Sequence, residues 1–263
     1  MNIKNVIKKD NQFIIGMVHC LPLPGTWHFD DNCEEITKRA IADAITLEKA
    51  GCDAIMIENM CDDPLGVTLE NEQIVALASI TARIREKVTL PIGIDAAFCD
   101  YKTSLSIAKF NNCQFIRVPV FVDRVQFFGG VIDPCARECI LFRKKLNAED
   151  VMILADIQVK HTNIITPTTI EDSAKTAVAC GADAVIVTGT TTGEATPIDM
   201  IKKVKKVVSV PVIVGSGLNK ETIKEQMTIA DGAIVGSSLK EKGVLSNPII
   251  FDKVKELLSS INK

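Results

Sequence analysis

Short apolar runs recur along the chain, separated by longer stretches in which apolar and polar positions follow helical spacing. The runs are Phe13–Val18, Ala54–Ile57, Pro91–Ile94, Phe115–Val118, Val151–Ala155, Ala184–Val187, Pro211–Val214 and Gly232–Val235. Helical patterns are clearest at Glu34–Ala50, Glu70–Lys87, Thr169–Cys180, Pro197–Val208 and Ile249–Ile261. Unbroken apolar strands predict burial on both faces, as in a parallel sheet covered by helices. Eight such units in 263 residues suit one (β/α)8 barrel, a TIM barrel, which takes about 250. A doubly wound open sheet is the alternative. No linker or shift in composition divides residues 1–263, so they read as one α/β domain. AGCDAIMI (Ala50–Ile57) and CGADAVIV (Cys180–Val187) are near copies of one helix-end, turn and strand element. They echo barrel symmetry, each glycine serving as a helix C-cap.

The last two strands end in VIVGSGLNKE and GAIVGSSLK. Glycine lets backbone approach an anion, and the N–H groups that open a helix lack internal partners. Gly215, Ser216, Gly217, Gly236 and Ser237 are therefore the expected phosphate site after strands seven and eight, with a helix starting directly after the first turn. Ordinary strand-to-helix turns are the plain alternative.

Chemistry in a barrel sits at the C-terminal strand ends. Here those ends carry His19, Glu58 with Asn59, Asp95, Arg117, Asp156 and Thr188. Period-two alternation puts Ile15, Met17 and His19 on one face of their strand, and likewise groups Ala54, Met56 and Glu58 on one face of theirs. If strand five stays extended through ADIQVKHT, then Asp156, Gln158 and Lys160 share a direction, and His161 needs a turn to face inward. A desolvated lysine beside a carboxylate can serve as acid, phosphate partner or Schiff-base nucleophile, and histidine shuttles protons near neutrality. Asp156, Lys160, His161, Glu58 and Asp95 are the catalytic candidates. His19, Asn59, Arg117, Thr188 and the glycine turns are the binding candidates.

A net charge of −3 and a single Trp and Tyr leave no basic or stacking surface for nucleic acid. No apolar run reaches the 18 or so residues of a membrane span, and the start lacks a signal core, so a cytoplasmic protein without membrane insertion is expected. The nine cysteines are scattered without a CxxC pair. They read as small apolar core residues in a reducing compartment, with no disulfides.

IIGMVHCLPLPG, IEN, IDAAF, FIRVPVF, ADIQVKH and VTGTTTG together resemble the BtpA/SgcQ family, from about Phe13 to about Lys255. The resemblance implies a barrel similar to ribulose-phosphate-binding barrels. It also implies that His19, Glu58, Asp95, Arg117, Asp156, Lys160, His161 and Thr188 belong to family motifs. In that family one photosynthetic member is linked to accumulation of photosystem I proteins, and a bacterial relative lies among sugar-metabolism genes; neither association fixes a reaction.

Two loops read as lids: Cys20–Asn32, with the only Trp, and Val118–Pro134, with Phe121, Phe127, Phe128 and a Gly129-Gly130 hinge. The phenylalanines suit a contact in a homo-oligomer equally well. Three function classes follow. One is an enzyme (lyase, isomerase or hydrolase) on a phosphorylated small molecule such as a sugar phosphate or nucleotide-like compound. A second is a metal-assisted version with His19, Glu58, Asp95 and His161 as ligands, although no HxH or HxxxH pair supports it. The third is a non-catalytic assembly or regulatory factor. No other cofactor is implied.

Overall fold

The computed structural model describes residues 3–7, 12–189 and 196–261. Eight parallel strands close into a barrel in sequence order: β1 (Phe13–His19), β2 (Ala54–Glu58), β3 (Ile92–Asp95), β4 (Phe115–Val118), β5 (Met152–Ile157), β6 (Ala184–Thr188), β7 (Val212–Gly215) and β8 (Gly232–Val235). The ring shuts where β1 pairs β8, with Phe13 opposite Gly232 and Gly16 opposite Val235. The chain is thus a TIM barrel, and the open sheet is set aside. Among the described residues no helix is long and apolar enough to cross a membrane.

Alternation divides the strand residues between two cores. Inward-facing Phe13, Ile15, Met17, Ala54, Met56, Phe115, Met152, Leu154, Ala184, Ile186, Ile213 and Ile234 fill the barrel. The short helix α1 (Ile3–Ile7) adds Ile3 and Ile7 to that cluster, and Lys4 ties it to Asp231 at 3.0 Å. Outward-facing residues such as Ile14, Val18, Ile55 and Ile57 pack against the surrounding helices. With both faces buried, the strands read as continuous apolar runs.

The helical patterns appear as α2 (Cys33–Ala50), α3 (Asn71–Arg85), α6 (Ile170–Ala179), α7 (Ile198–Lys205) and α9 (Phe251–Ile261). Less regular sequence forms α4 (Tyr101–Phe110), α5 (Ala136–Lys145) and α8 (Ile223–Met227). The repeated element has a structural basis. After left-handed Gly51 and Gly181, Asp53 accepts from Ile14 N at 2.7 Å and Asp183 from Ile153 N at 2.9 Å. Asp231 does the same for Val212 N at 2.8 Å. Each aspartate accepts from an amide at the start of a neighbouring strand, a backbone group that would otherwise be orphaned at the barrel floor.

The stretch read as a lid, Val118–Pro134, is ordered by pairing. Val125–Phe127 and Gly130–Ile132 form a hairpin whose first strand also pairs with Asn163–Ile164, just beyond Lys160 and His161. Gly129 lies in the hairpin turn and Gly130 opens the second strand opposite Phe127, so the pair does not form a hinge at the hairpin's base. Phe121 is fully buried in the outer core.

Candidate active site

Continuing the inward alternation by one residue beyond the apolar interior gives His19, Glu58, Asp95, Arg117, Asp156, Thr188, Gly215 and Gly236. The first six are polar, so the top of the barrel is a charged layer lying on an apolar floor. His19 stands opposite Glu58 in the ladder, and Glu58 opposite Asp95. His19 Nε2 lies 3.3 Å from Glu58 Oε2. Arg117 donates from Nε and Nη2 to the two oxygens of Asp156, at 2.8 and 2.9 Å, and from Nη1 to Asp95 at 3.3 Å. Such a planar fork holds its carboxylate in one orientation.

Burial decides the protonation of this layer. Asp95 is pushed well above the carboxylate range by burial and by the neighbouring Glu58. Burial also raises Glu58, but its bond to His19, with the charges of His19, Arg117 and Lys160, brings it below the ordinary value. Asp95 and Glu58 are in side-chain contact, and two ionised carboxylates cannot share a hydrogen bond. Two such carboxyls side by side resist joint ionisation, and of the two it is Asp95 whose hold on a proton is raised. Arg117 stays charged: burial disfavours it, and Asp156, Asp95 and Glu58 outweigh that. Lys160 is lowered by burial and by Arg117, against the pull of the carboxylates. Burial and Lys160 likewise lower His161. A carboxyl raised and a lysine lowered from their ordinary values are groups from which proton transfer can be built.

The opposite side of the mouth has almost no side chains. β7 ends at Gly215, and Ser216 and Gly217 follow with φ of 80° and 64°. After Gly236 comes a single 3-10 turn, Ser237–Leu239. A Cβ on Gly236 would lie 2.7 Å from His19 Cε1, so the glycine makes room for the imidazole. Ser238 Oγ donates to Leu218 O at 2.6 Å and fastens the two turns together. The expected helix start directly after the first turn is corrected here. The Asn219 side chain accepts from Glu221 N and Thr222 N, and α8 begins only at Ile223.

A cavity of about 400 Å³ joins the two sides. Its wall includes His19, Glu58, Asp95, Arg117, Lys160, His161, Gly215, Ser216, Gly217, Gly236 and Ser237. Three candidates are placed behind that wall. Asp156 is buried under Arg117, which makes it a positioning residue. Thr188 Oγ1 accepts from Lys160 N at 3.2 Å and fixes the lysine's backbone. Asn59 clamps Ala97, accepting from its N at 2.8 Å and donating to its O at 3.3 Å. Strand β5 ends at Ile157 and Gln158 turns to φ 52°. Gln158 therefore points at Thr168 and Ser173 instead of sharing the direction of Asp156. Trp27 is 82% exposed and absent from the cavity wall. Of the VTGTTTG motif, residues 190–193 lie outside the described residues.

Sequence reasoning missed two features. The first is Phe98, within IDAAF, which walls the cavity together with Phe127 and Phe128 of the loop read as a lid. Lys240 is fully buried and paired with Asp43 at 2.6 Å, behind the second glycine turn. Among the described residues no group of three or more His, Cys, Asp or Glu side chains is gathered to hold a metal ion. The set His19, Glu58, Asp95 and His161 is thus not assembled as ligands, and the guanidinium of Arg117 already balances Asp95.

Comparison with known proteins agrees with this layout. The BtpA family model matches residues 10–263. An uncharacterised protein of Pyrococcus furiosus is 39% identical over 250 residues, covering 95% of this chain and 94% of its own length. The photosystem I biogenesis protein BtpA of Synechocystis is 31% identical over 239 residues, covering 90% of this chain and 83% of its own. Among solved structures, thiamine phosphate pyrophosphorylase from Pyrococcus furiosus aligns with a TM-score of 0.61 at 13% identity, over 99% of this chain and 98% of that one. That likeness concerns the fold.

Proposed function

This chain belongs to the BtpA family, and we propose that it is an enzyme that binds a phosphorylated small molecule at the barrel mouth and moves protons on it. The observation that carries this reading is the meeting, in one cavity, of a buried carboxyl pair beside a lysine and of a rim built from glycine turns. Asp95 and Lys160 stand on one side and the turns Gly215–Gly217 and Gly236-Ser237 on the other. Backbone amides at such turns suit a phosphate, and they hold it without competing for the reacting end. Asp95 would donate its proton to an oxygen of the substrate, and neutral Lys160 would accept one from it. A site that only binds has no use for a buried carboxyl pair and a depressed lysine, which cost stability. The thiamine phosphate enzyme with the same fold is named for a phosphorylated compound, which is in keeping with this use of the barrel. A cytoplasmic setting suits such a metabolite.

The test is a stability screen with phosphorylated metabolites and their dephosphorylated counterparts, followed by assay of each binder for consumption. Phosphorylated members alone should stabilise, by about 2.7 kcal/mol at a hundredfold excess over Kd. Lys160→Ala should then keep the stabilisation and lower turnover by about 10²–10⁴-fold. Equal stabilisation by dephosphorylated partners would refute the phosphate site. Tight binders of which none is consumed would establish a non-catalytic ligand-binding role.

A further inference from the structure

The cavity, at about 400 Å³, has more room than a phosphate needs, and part of its wall is of a different chemistry. In a closed ring of eight strands, β3 lies across from β7 and β4 across from β8. The glycine turns follow β7 and β8; Phe98 follows β3, and Phe127 and Phe128 lie in the hairpin that follows β4. The aromatic cluster and the glycine rim therefore follow opposite strands of the ring, and Asp95, Glu58, Arg117 and Lys160 line the same cavity. The cluster is itself ordered. Phe98 and Phe127 stack with centroids 4.3 Å apart and planes at 15°, and Phe127 meets Phe128 at 4.1 Å. Asn59 holds the preceding residue, Ala97, from both sides, and Phe98 N donates to Gly66 O at 3.0 Å. Phe128 remains 66% exposed while lining the cavity. Leu65 and Pro119 extend the same apolar wall.

We infer that the ligand is a phosphorylated molecule bearing a planar unsaturated ring, of the nucleotide-like class, with phosphate at the β7 and β8 turns and the ring against Phe98 and Phe128. This rests on the phosphate reading above and narrows it. A bare sugar phosphate long enough to reach the far wall would press hydroxyl groups against phenylalanine rings and leucine, where they find no hydrogen-bond partner, at a cost in free energy. A flat π-surface loses nothing there and stacks. At about 400 Å³, the cavity is also within the roughly 300–1,000 Å³ of sites that enclose ligands of several rings.

Calorimetric titration of the full chain separates the two layers of the argument. The probes are AMP, GMP, CMP and UMP, the four free nucleosides, and ribose 5-phosphate. At least one monophosphate should bind about tenfold or more tightly than ribose 5-phosphate. Phe128→Ala, a change at an exposed side chain, should abolish that advantage while leaving ribose 5-phosphate affinity unchanged, and Phe128→Tyr should restore it. Ribose 5-phosphate binding as tightly as every monophosphate would overturn the ring subsite and leave the phosphate site standing. A monophosphate preference that survives Phe128→Ala would also overturn it. Free nucleosides binding as tightly as their monophosphates would overturn the proposal through its phosphate half. No binding by any probe would overturn both.

Discussion

The two halves of the barrel mouth are built from the same strand positions and by opposite means. From β1 to β5 the top layer is side chains: His19, Glu58, Asp95, Arg117 and Asp156, each buried or nearly so and each answered by a neighbour. At β7 and β8 it is backbone: Gly215 and Gly236, followed by serine. In the first half, function and stability are entangled, because removing any charge exposes another. In the second half they are separable, because a glycine turn contributes amides and space and little packing. Under the proposed function, proton chemistry and anion grip would therefore be altered by separate substitutions.

The largest effect should come from breaking the balance in the charged half. Arg117→Ala leaves Asp156 buried, at 0% side-chain exposure, without its cation. Loss of one partner from a buried ion pair costs about 3–5 kcal/mol. Gly217→Val forces a branched side chain into φ 64° and should cost only about 1–3 kcal/mol. Urea denaturation of both variants measures the contrast. Equal losses would mean that the turn is as much a part of the core as the arginine.

The same contrast explains what could be read in advance. All eight barrel strands were legible because both their faces are apolar. The reading of strand five stopped at Ala155, and the strand continues to Ile157, since Asp156 looks like a solvent boundary although it points inward under Arg117. The five ionisable strand ends were legible for the same period-two reason. The hairpin was not: its partner Asn163–Ile164 lies beyond Lys160, and no local pattern announces that pairing. Its aromatic residues were noticed as a lid, and Phe98, their stacking partner from another loop, was not. Lys240 carried no signal at all. Lysine is rarely buried, and its partner Asp43 is 197 residues away. Helices α4 and α5 bury few large side chains, Leu105 and Ile107 in the first and none beyond Ala136 and Cys139 in the second, so their periodicity is faint.

A smaller effect should follow from the proton shared in the charged half. Because the folded state raises Asp95, it binds a proton that the unfolded chain releases near pH 3.8. The contribution is intact below that value and is lost as pH rises through the raised one, at up to about 1.4 kcal/mol per pH unit. Asp95→Asn mimics the neutral acid and lacks this loss. Its stability relative to the parent should be near zero at pH 4 and grow more favourable towards pH 8, while turnover falls. A stability difference independent of pH would place the proton elsewhere.

The central claim is that anion binding belongs to the backbone half. The direct measurement is the ¹⁵N–¹H spectrum of the labelled protein titrated with ribose 5-phosphate. The account predicts saturable shifts at the amides of Ser216, Gly217, Gly236 and Ser237, retained in Lys160→Ala. Shifts confined to the Lys160–His161 loop, or lost with the lysine, would contradict it.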